Sequence, residues 1–249
     1  GSFQRTLYFR GADLDSATQS ELVSASARLN NALRRLGSGW ALFSEAERAP
    51  AADYPDSNFP DALSWLVDEE RRGAFEAHGR HFESTYHLTL LYLPPEEARS
   101  RAAGLLYENR AQQGVDWREQ LTTFIAESDR IYDLLDGVMP ELGWLDDRHT
   151  LTYLHATVST HRQQVALPEV PFHLDALLAD NPLTTGLAPR LGEQHLRVLS
   201  IRGFPTSTWP GVLDDLNRLG FAYRWSTRFI CLEKDESEKE LVRLRRQWF

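Results

Sequence analysis

Hydrophobic and polar positions change period several times along the chain, and each change marks an element. Over Phe3–Arg10 the alternation is partial, with Phe3, Arg5, Leu7 and Phe9 on one side and Gln4, Thr6 and Tyr8 on the other. A strand is expected there, closed by Gly11. A helix follows from about residue 16. Thr18 and Glu21 have capping-box spacing, Leu22, Leu29, Leu33 and Leu36 form an apolar stripe, and Gly37 suits its stop. Residues 40–47 read as a second strand, 49–60 as a Pro/Ala/Asp-rich loop, and 61–77 as a helix. The clearest early strand is 84–93, with Tyr86, Leu88, Leu90 and Tyr92 facing one way, before Pro94-Pro95 stops it. Two helices are expected next. The second, over 117–138, carries the strongest helical signal, as Trp117, Leu121, Phe124, Ile125, Ser128, Ile131, Leu135 and Val138 recur at steps of three and four.

Asp146 and Asp147 are expected to cap a helix through about residue 158, striped by Leu151, Leu154, His155 and Val158. Residues 161–189 form an irregular, Pro-rich stretch, with a short strand expected over 172–178. A connection that long in a compact domain is usually functional or lies against something. Residues 195–204 read as a strand and 211–219 as a helix opened by Thr208 and Pro210. Over 222–232, Tyr223, Trp225, Thr227, Phe229 and Cys231 alternate with Arg224, Ser226, Arg228 and Ile230, a further strand. A last helix begins near Asp235, with Leu241, Leu244 and Trp248 on one face. It meets no stop signal and reads as a helix continuing into further chain, a native carboxy terminus being the alternative. The pattern predicts an α+β fold: a mixed, mostly antiparallel sheet or sheets with helices, in two sub-regions, residues 1–140 and 141–249.

Composition narrows the function. Hydrophobic residues make up 42% and charged residues 25% of the 249, ordinary for a globular protein, and seven Trp point to packed layers rather than disorder. A net charge of −9 argues against a dedicated nucleic-acid domain, because neutralising phosphates needs clustered Lys and Arg. The one cysteine, Cys231, excludes an internal disulfide, fits a reducing cytosol and, from its aromatic strand face, is expected to be a buried, inert thiol. The densest apolar run, 88–93, falls far short of the roughly 18 residues a spanning helix needs.

No catalytic, cofactor-binding or metal site is expected. The eight histidines lack H-E-x-x-H spacing and have no cysteine set to pair with for zinc. Ser64 and Ser159 lie in no nucleophile elbow. Asp214 and Asp215 suit the first turn of a helix. Partner-interface candidates are Trp209, Arg218, Arg224, Arg228, Arg245 and Arg246. For Arg224 and Arg228 the plainer reading is an ion pair with a helix carboxylate, and the sharper one a docking surface for an acidic partner segment or a neighbouring subunit. Arg243, Arg245 and Arg246 read as a solvated helix face, with a basic patch for DNA or membrane as the alternative. Trp209 is either an interface anchor or a plug between helix and sheet.

Several stretches together carry a resemblance. These are Leu151-Thr-Tyr-Leu-His-Ala-Thr-Val-Ser-Thr160, Leu174-Asp-Ala-Leu-Leu-Ala-Asp180, Gly203-Phe-Pro205, Leu213-Asp-Asp-Leu-Asn217 and Tyr223-Arg-Trp-Ser-Thr-Arg-Phe229. In this order they closely resemble the amino-terminal domain of TrbE-type conjugal-transfer ATPases of type IV secretion, and residues 3–11, 29–40 and 59–70 look like the same family. The resemblance implies a domain that docks a motor on the inner-membrane secretion complex, followed by a RecA-like ATPase half that hexamerises. It implies inner-membrane secretion subunits and further copies of the motor as partners, and a place in the bacterial cytoplasm, peripheral to the inner membrane. This chain has only two lysines, Lys234 and Lys239, and neither follows a glycine, so no phosphate-cradling P-loop is present. ATP and Mg are therefore expected only in the absent half, with no RecA-like core and no enzyme activity here. Two other readings remain open: a module handling transferred DNA, and a stand-alone metal-dependent hydrolase.

Overall fold

The computed structural model describes residues 2–11, 16–51, 54–77, 81–94, 116–170, 172–199, 206–209 and 211–248. The expected first helix after Pro95, His78 and the Gly203-Phe-Pro205 motif lie outside the described residues. In chain order the larger elements are β1 (Phe3–Arg10), α1 (Gln19–Leu33), β2 (Trp40–Pro50), α2 (Ala62–Ala77), β3 (Phe82–Tyr92) and α3 (Trp117–Asp136). They continue with β4 (Glu141–Trp144), α4 (Asp147–Val158), the short α5 (Leu174–Leu178), β8 (Tyr223–Ile230) and α6 (Lys234–Trp248). Between α5 and β8 lie β5 (Leu183–Thr184), β6 (Arg190–Leu191), β7 (Gln194–His195) and a 3-10 helix, Asp214–Arg218. The fold is α+β. One antiparallel sheet has the order β4-β1-β3-β2-β8, and a small one has the order β5-β6-β7. Strands from both sides of residue 140 therefore share one sheet.

Register decides which face each side chain joins, because successive strand residues point to opposite sides. Pairing Leu7 with Leu88 and Leu42 with Leu90 puts the alternating apolar residues of three strands on one face. Leu7, Leu42, Leu90 and Trp40 meet Ala32 and Leu36 from the α1 end and Phe124, Ile131 and Leu135 from α3. Phe124 is 2% exposed and stacks on Phe3 and Trp40. Burying a side chain of that size contributes about 1.5–3 kcal/mol. Arg5 crosses from β1 to α3, donating to Ser128 Oγ at 2.7 Å and Asp129 Oδ1 at 2.6 Å, with its guanidinium over the Trp144 ring. The Thr18–Glu21 capping box starts α1 as the spacing predicts. Gly39 turns the chain into β2 at φ +95°, where a Cβ would come within 2.7 Å of the Leu93 carbonyl oxygen. Gly143 in β4 lies beneath the Tyr8 ring, which any side chain would strike.

Three sequence expectations are corrected. Residues 174–178 form a helix rather than a strand; the run is too short for periodicity to choose, and its Leu and Ala favour helix. Of the strand expected over 195–204, only Gln194–His195 is strand among the described residues, with Val198 and Leu199 exposed beyond it; residues 200–204 lie outside the described residues. The helix expected over 211–219 is a single stretch of 3-10 helix that no side chain caps. On α4 the buried residues are Leu151, Tyr153 and His155, while Val158 is exposed. The sheet lies on the Tyr153 side, one residue off the anticipated stripe. Two helices stand apart from the core. No residue of α2 is buried, and Leu63, Trp65 and Leu66 are exposed; Leu241, Val242 and Leu244 of α6 are likewise exposed.

Candidate functional site

The opposite face of the large sheet is polar. Thr6 and Thr89 are cross-strand partners with their hydroxyls 2.9 Å apart. Beside them along the sheet lie His87 of β3, Glu45 and Glu47 of β2, and Arg224 of β8. The β2–β8 register sets Glu47 directly opposite Arg224. The Arg224 guanidinium then forks between two carboxylates, donating to Glu45 Oε2 at 2.8 Å and Glu47 Oε2 at 2.9 Å, and to the Ala156 carbonyl of α4 at 3.0 Å. Arg162, beyond α4, ion-pairs with the other oxygen of Glu47.

α4 covers this face. Asp146 caps its start, accepting from the His149 backbone N–H. Tyr153 projects onto the sheet, donating to Glu45 Oε2 at 2.9 Å and accepting from Thr89, with its ring 4.6 Å from that of His87. Burial pushes the Tyr153 phenol up to about 12. Burial, then the nearby Arg224 charge, push the His87 imidazole down, and the same two causes lower Arg162. Next to this network lies a cleft of about 370 Å³, lined by Glu47, His87, His149, Thr152, Tyr153 and Arg162 among others. Two carboxylates face two guanidiniums, so the buried charge is balanced. The arrangement can lock β2, β8 and α4 in register and offer a polar wall to the cleft; a phenol held protonated this firmly is a poor nucleophile.

A second polar cluster fastens the segment after α4. Asp180 Oδ2 receives His155 Nε2 at 3.2 Å and His161 Nδ1 at 2.9 Å, while Ser159 Oγ accepts from the His161 backbone N–H and from Asn181. Ser159, followed by the two histidines, holds the Asp180 carboxyl well below the usual carboxylate range. Ser159 is a buried tie between α4 and residue 181.

The sequence candidates separate in space. Arg224 is enclosed in the polar network, and its partners are strand carboxylates rather than the helix carboxylate expected. Arg228, four residues along the same face, is exposed and has no partner among the described residues. Trp209 is 59% exposed. Arg218 is solvated and pairs only loosely with Asp215 at 3.7 Å. Arg245 and Arg246 are exposed on the last turn of α6. Sequence reasoning missed Glu45, Glu47, His87, Tyr153 and Arg162. The signal available was two carboxylates alternating on one face of a strand, a pattern that asks for cations on the neighbouring strand.

Comparison with known proteins gives this surface a context. Residues 1–100, from β1 through β3, match the family described as type IV secretion system ATPase VirB4/TrbE, N-terminal domain. The whole chain is 33% identical over 265 residues to the conjugal transfer protein TrbE of Rhizobium radiobacter, of which it covers 32%. It therefore spans about a third of the length of that relative. In Sinorhizobium fredii (strain NBRC 101917 / NGR234) a probable conjugal transfer protein TrbE is divided into two pieces, and both are similar to this chain. The first piece is 43% identical over 105 residues, covering 41% of this chain and 70% of that protein. The second is 35% identical over 98 residues, covering 39% of this chain and 15% of that protein. The chain belongs to the TrbE family, at the N-terminal domain of the VirB4/TrbE type IV secretion ATPases.

Proposed function

We propose that this chain is the non-catalytic N-terminal domain of a conjugation motor, docking the ATPase on the inner-membrane secretion complex and supporting assembly of its oligomer. The observation that carries the reading is family similarity over the full chain, in a sequence where neither lysine follows a glycine. Phosphate chemistry, with ATP and Mg, then belongs to the larger portion of the parent protein, and movement there is passed through this domain to the channel. Exposed apolar side chains support a docking role: Trp65, flanked by exposed Leu63 and Leu66 on α2, and Trp209 before the 3-10 helix, since exposed Trp is the kind of residue that anchors interfaces. Among the described residues no helix is long and apolar enough to cross a membrane. In this reading the domain reaches the inner membrane through partner proteins, works at its cytoplasmic side, and the parent forms a hexamer.

The test is a pull-down of this chain with inner-membrane secretion subunits, beside an ATPase assay on the same preparation. The expected outcome is capture without turnover. Turnover by the pure chain, or capture of no subunit, overturns the reading.

A further inference from the structure

We propose that α6 pairs antiparallel with α6 of a second copy, giving the motor a two-fold contact of its own; the proposal rests on the oligomeric reading above. Three observations lead to it. The first is that α6 has 15 residues and none of its described side chains is buried: Leu241 is 65% exposed, Val242 50% and Leu244 39%. An isolated helix of this length is marginal in water, so its apolar row needs a surface to cover it. Within the chain, α6 is tied mainly at its start, where Ser38 bonds the Glu233 backbone and the Glu236 carboxylate.

The second observation is the charge distribution. Carboxylates Asp235, Glu236, Glu238 and Glu240 outnumber Lys234 and Lys239 in the first half, and Arg243, Arg245 and Arg246 make the second half basic. The helix dipole accounts for Asp235 and Glu236 in the first turn and for Arg245 and Arg246 in the last. Its influence fades within a turn, and Glu240 and Arg243 pair with each other along the helix, so Glu238 is the charge left outside these explanations. Two such helices laid antiparallel place each acidic half against a basic half.

The third observation is register. Ser237, Leu241 and Leu244 fall on one row, separated by steps of four and three, and Glu238 and Arg245 flank it on the same side. In an antiparallel helix pair like flanks face each other. A two-fold axis between Leu241 and Val242 sets Glu238 opposite Arg245 of the second copy, and the reverse, and brings the two Leu241 side chains together at the axis. Within one copy Glu238 has only a long contact to Lys234, at 4.0 Å, and Arg245 has no partner among the described residues. Both groups are free for such an exchange.

Sedimentation of the 249-residue chain at roughly 100 µM, where a contact this small is measurable, is expected to show a salt-sensitive dimer. Leu241→Glu is expected to abolish it with helical circular dichroism unchanged. Glu238→Arg and Arg245→Glu alone each weaken it about tenfold, and the two together restore it. In the parent-length protein carrying Cys231→Ser and Leu241→Cys, oxidation is expected to link two copies through residue 241. A monomeric chain, a dimer indifferent to these substitutions, or a parent protein that does not cross-link overturns the proposal; the last result means that α6 packs on the parent's own remaining chain. Because secretion-subunit capture is measured separately, capture that persists in a monomeric chain overturns this contact while leaving the docking role standing.

Discussion

The two faces of the large sheet solve one problem with opposite chemistry. Under α1 and α3 the covering is apolar, and its contacts are interchangeable in kind: Phe124, Leu90 and Leu7 exclude water by area and shape. Under α4 the covering is a chain of polar groups in which each member is specified by the next, from Thr6 through Thr89, Tyr153 and Glu45 to Arg224. An apolar face tolerates approximate partners. A buried ionic face tolerates all its partners or none of them, since a single unpaired charge left behind is costly. The first face holds the domain together, and the second makes the position of β8, and of the chain after it, depend on side chains contributed by β2 and α4.

Four variants break or sharpen this contrast. The largest effect is expected from Phe124→Ala, a loss of about 3–5 kcal/mol in a denaturant titration, because the site is walled by rigid rings and cannot collapse. Arg224→Met is expected to cost about 3 kcal/mol, nearly as much, by leaving Glu45 and Glu47 buried against an apolar side chain. The sharpening comes from a triple variant, Glu45→Leu, Glu47→Leu and Arg224→Leu, which removes both carboxylates with Arg224, leaves the more exposed Arg162 to turn to solvent, and is expected to regain most of that loss. If the triple variant is less stable than Arg224→Met, the polar face is not the balanced network described. The smallest effect is that of Tyr153→Phe, about 1 kcal/mol at neutral pH, for the lost bond to Glu45. Its clearer signature lies in alkali. A phenol raised from 10.0 to about 12 stabilises the fold fully below the unfolded value, and that contribution is lost as pH rises through the folded one. Unfolding measured between pH 10 and 12 should therefore steepen in the parent chain and flatten in Tyr153→Phe.

The apolar face was largely legible in the sequence. The stripe of Phe124, Ser128, Ile131 and Leu135 and the alternation of Leu88, Leu90 and Tyr92 each report a face through local spacing alone, and the Thr18–Glu21 cap is local too. The polar face was not, because Arg224 and Glu45 are 179 residues apart and nothing near either one names the other. Tyr153 escaped for a related reason: on α4 the sheet-facing side is chosen by what it can bond, and an apolar stripe does not record that. β4 was missed because four residues interrupted by Gly143 carry too little pattern, although they complete the sheet beside β1. The family resemblance, carried by short ordered motifs, located the chain among its relatives without indicating which residues meet.

The pairing of β2 with β8 also constrains how the protein is made. On a ribosome adding about 5–20 residues per second, the outer edge of β2 waits on the order of 10–40 s for the strand that closes it. Throughout that interval it is an open template for any other nascent chain. Glu45, Glu47 and Arg48 crowd that strand with charge and oppose such mispairing until Arg224 emerges. The same two carboxylates thus act first as guards of an unfinished edge and later as the lock that receives its final strand.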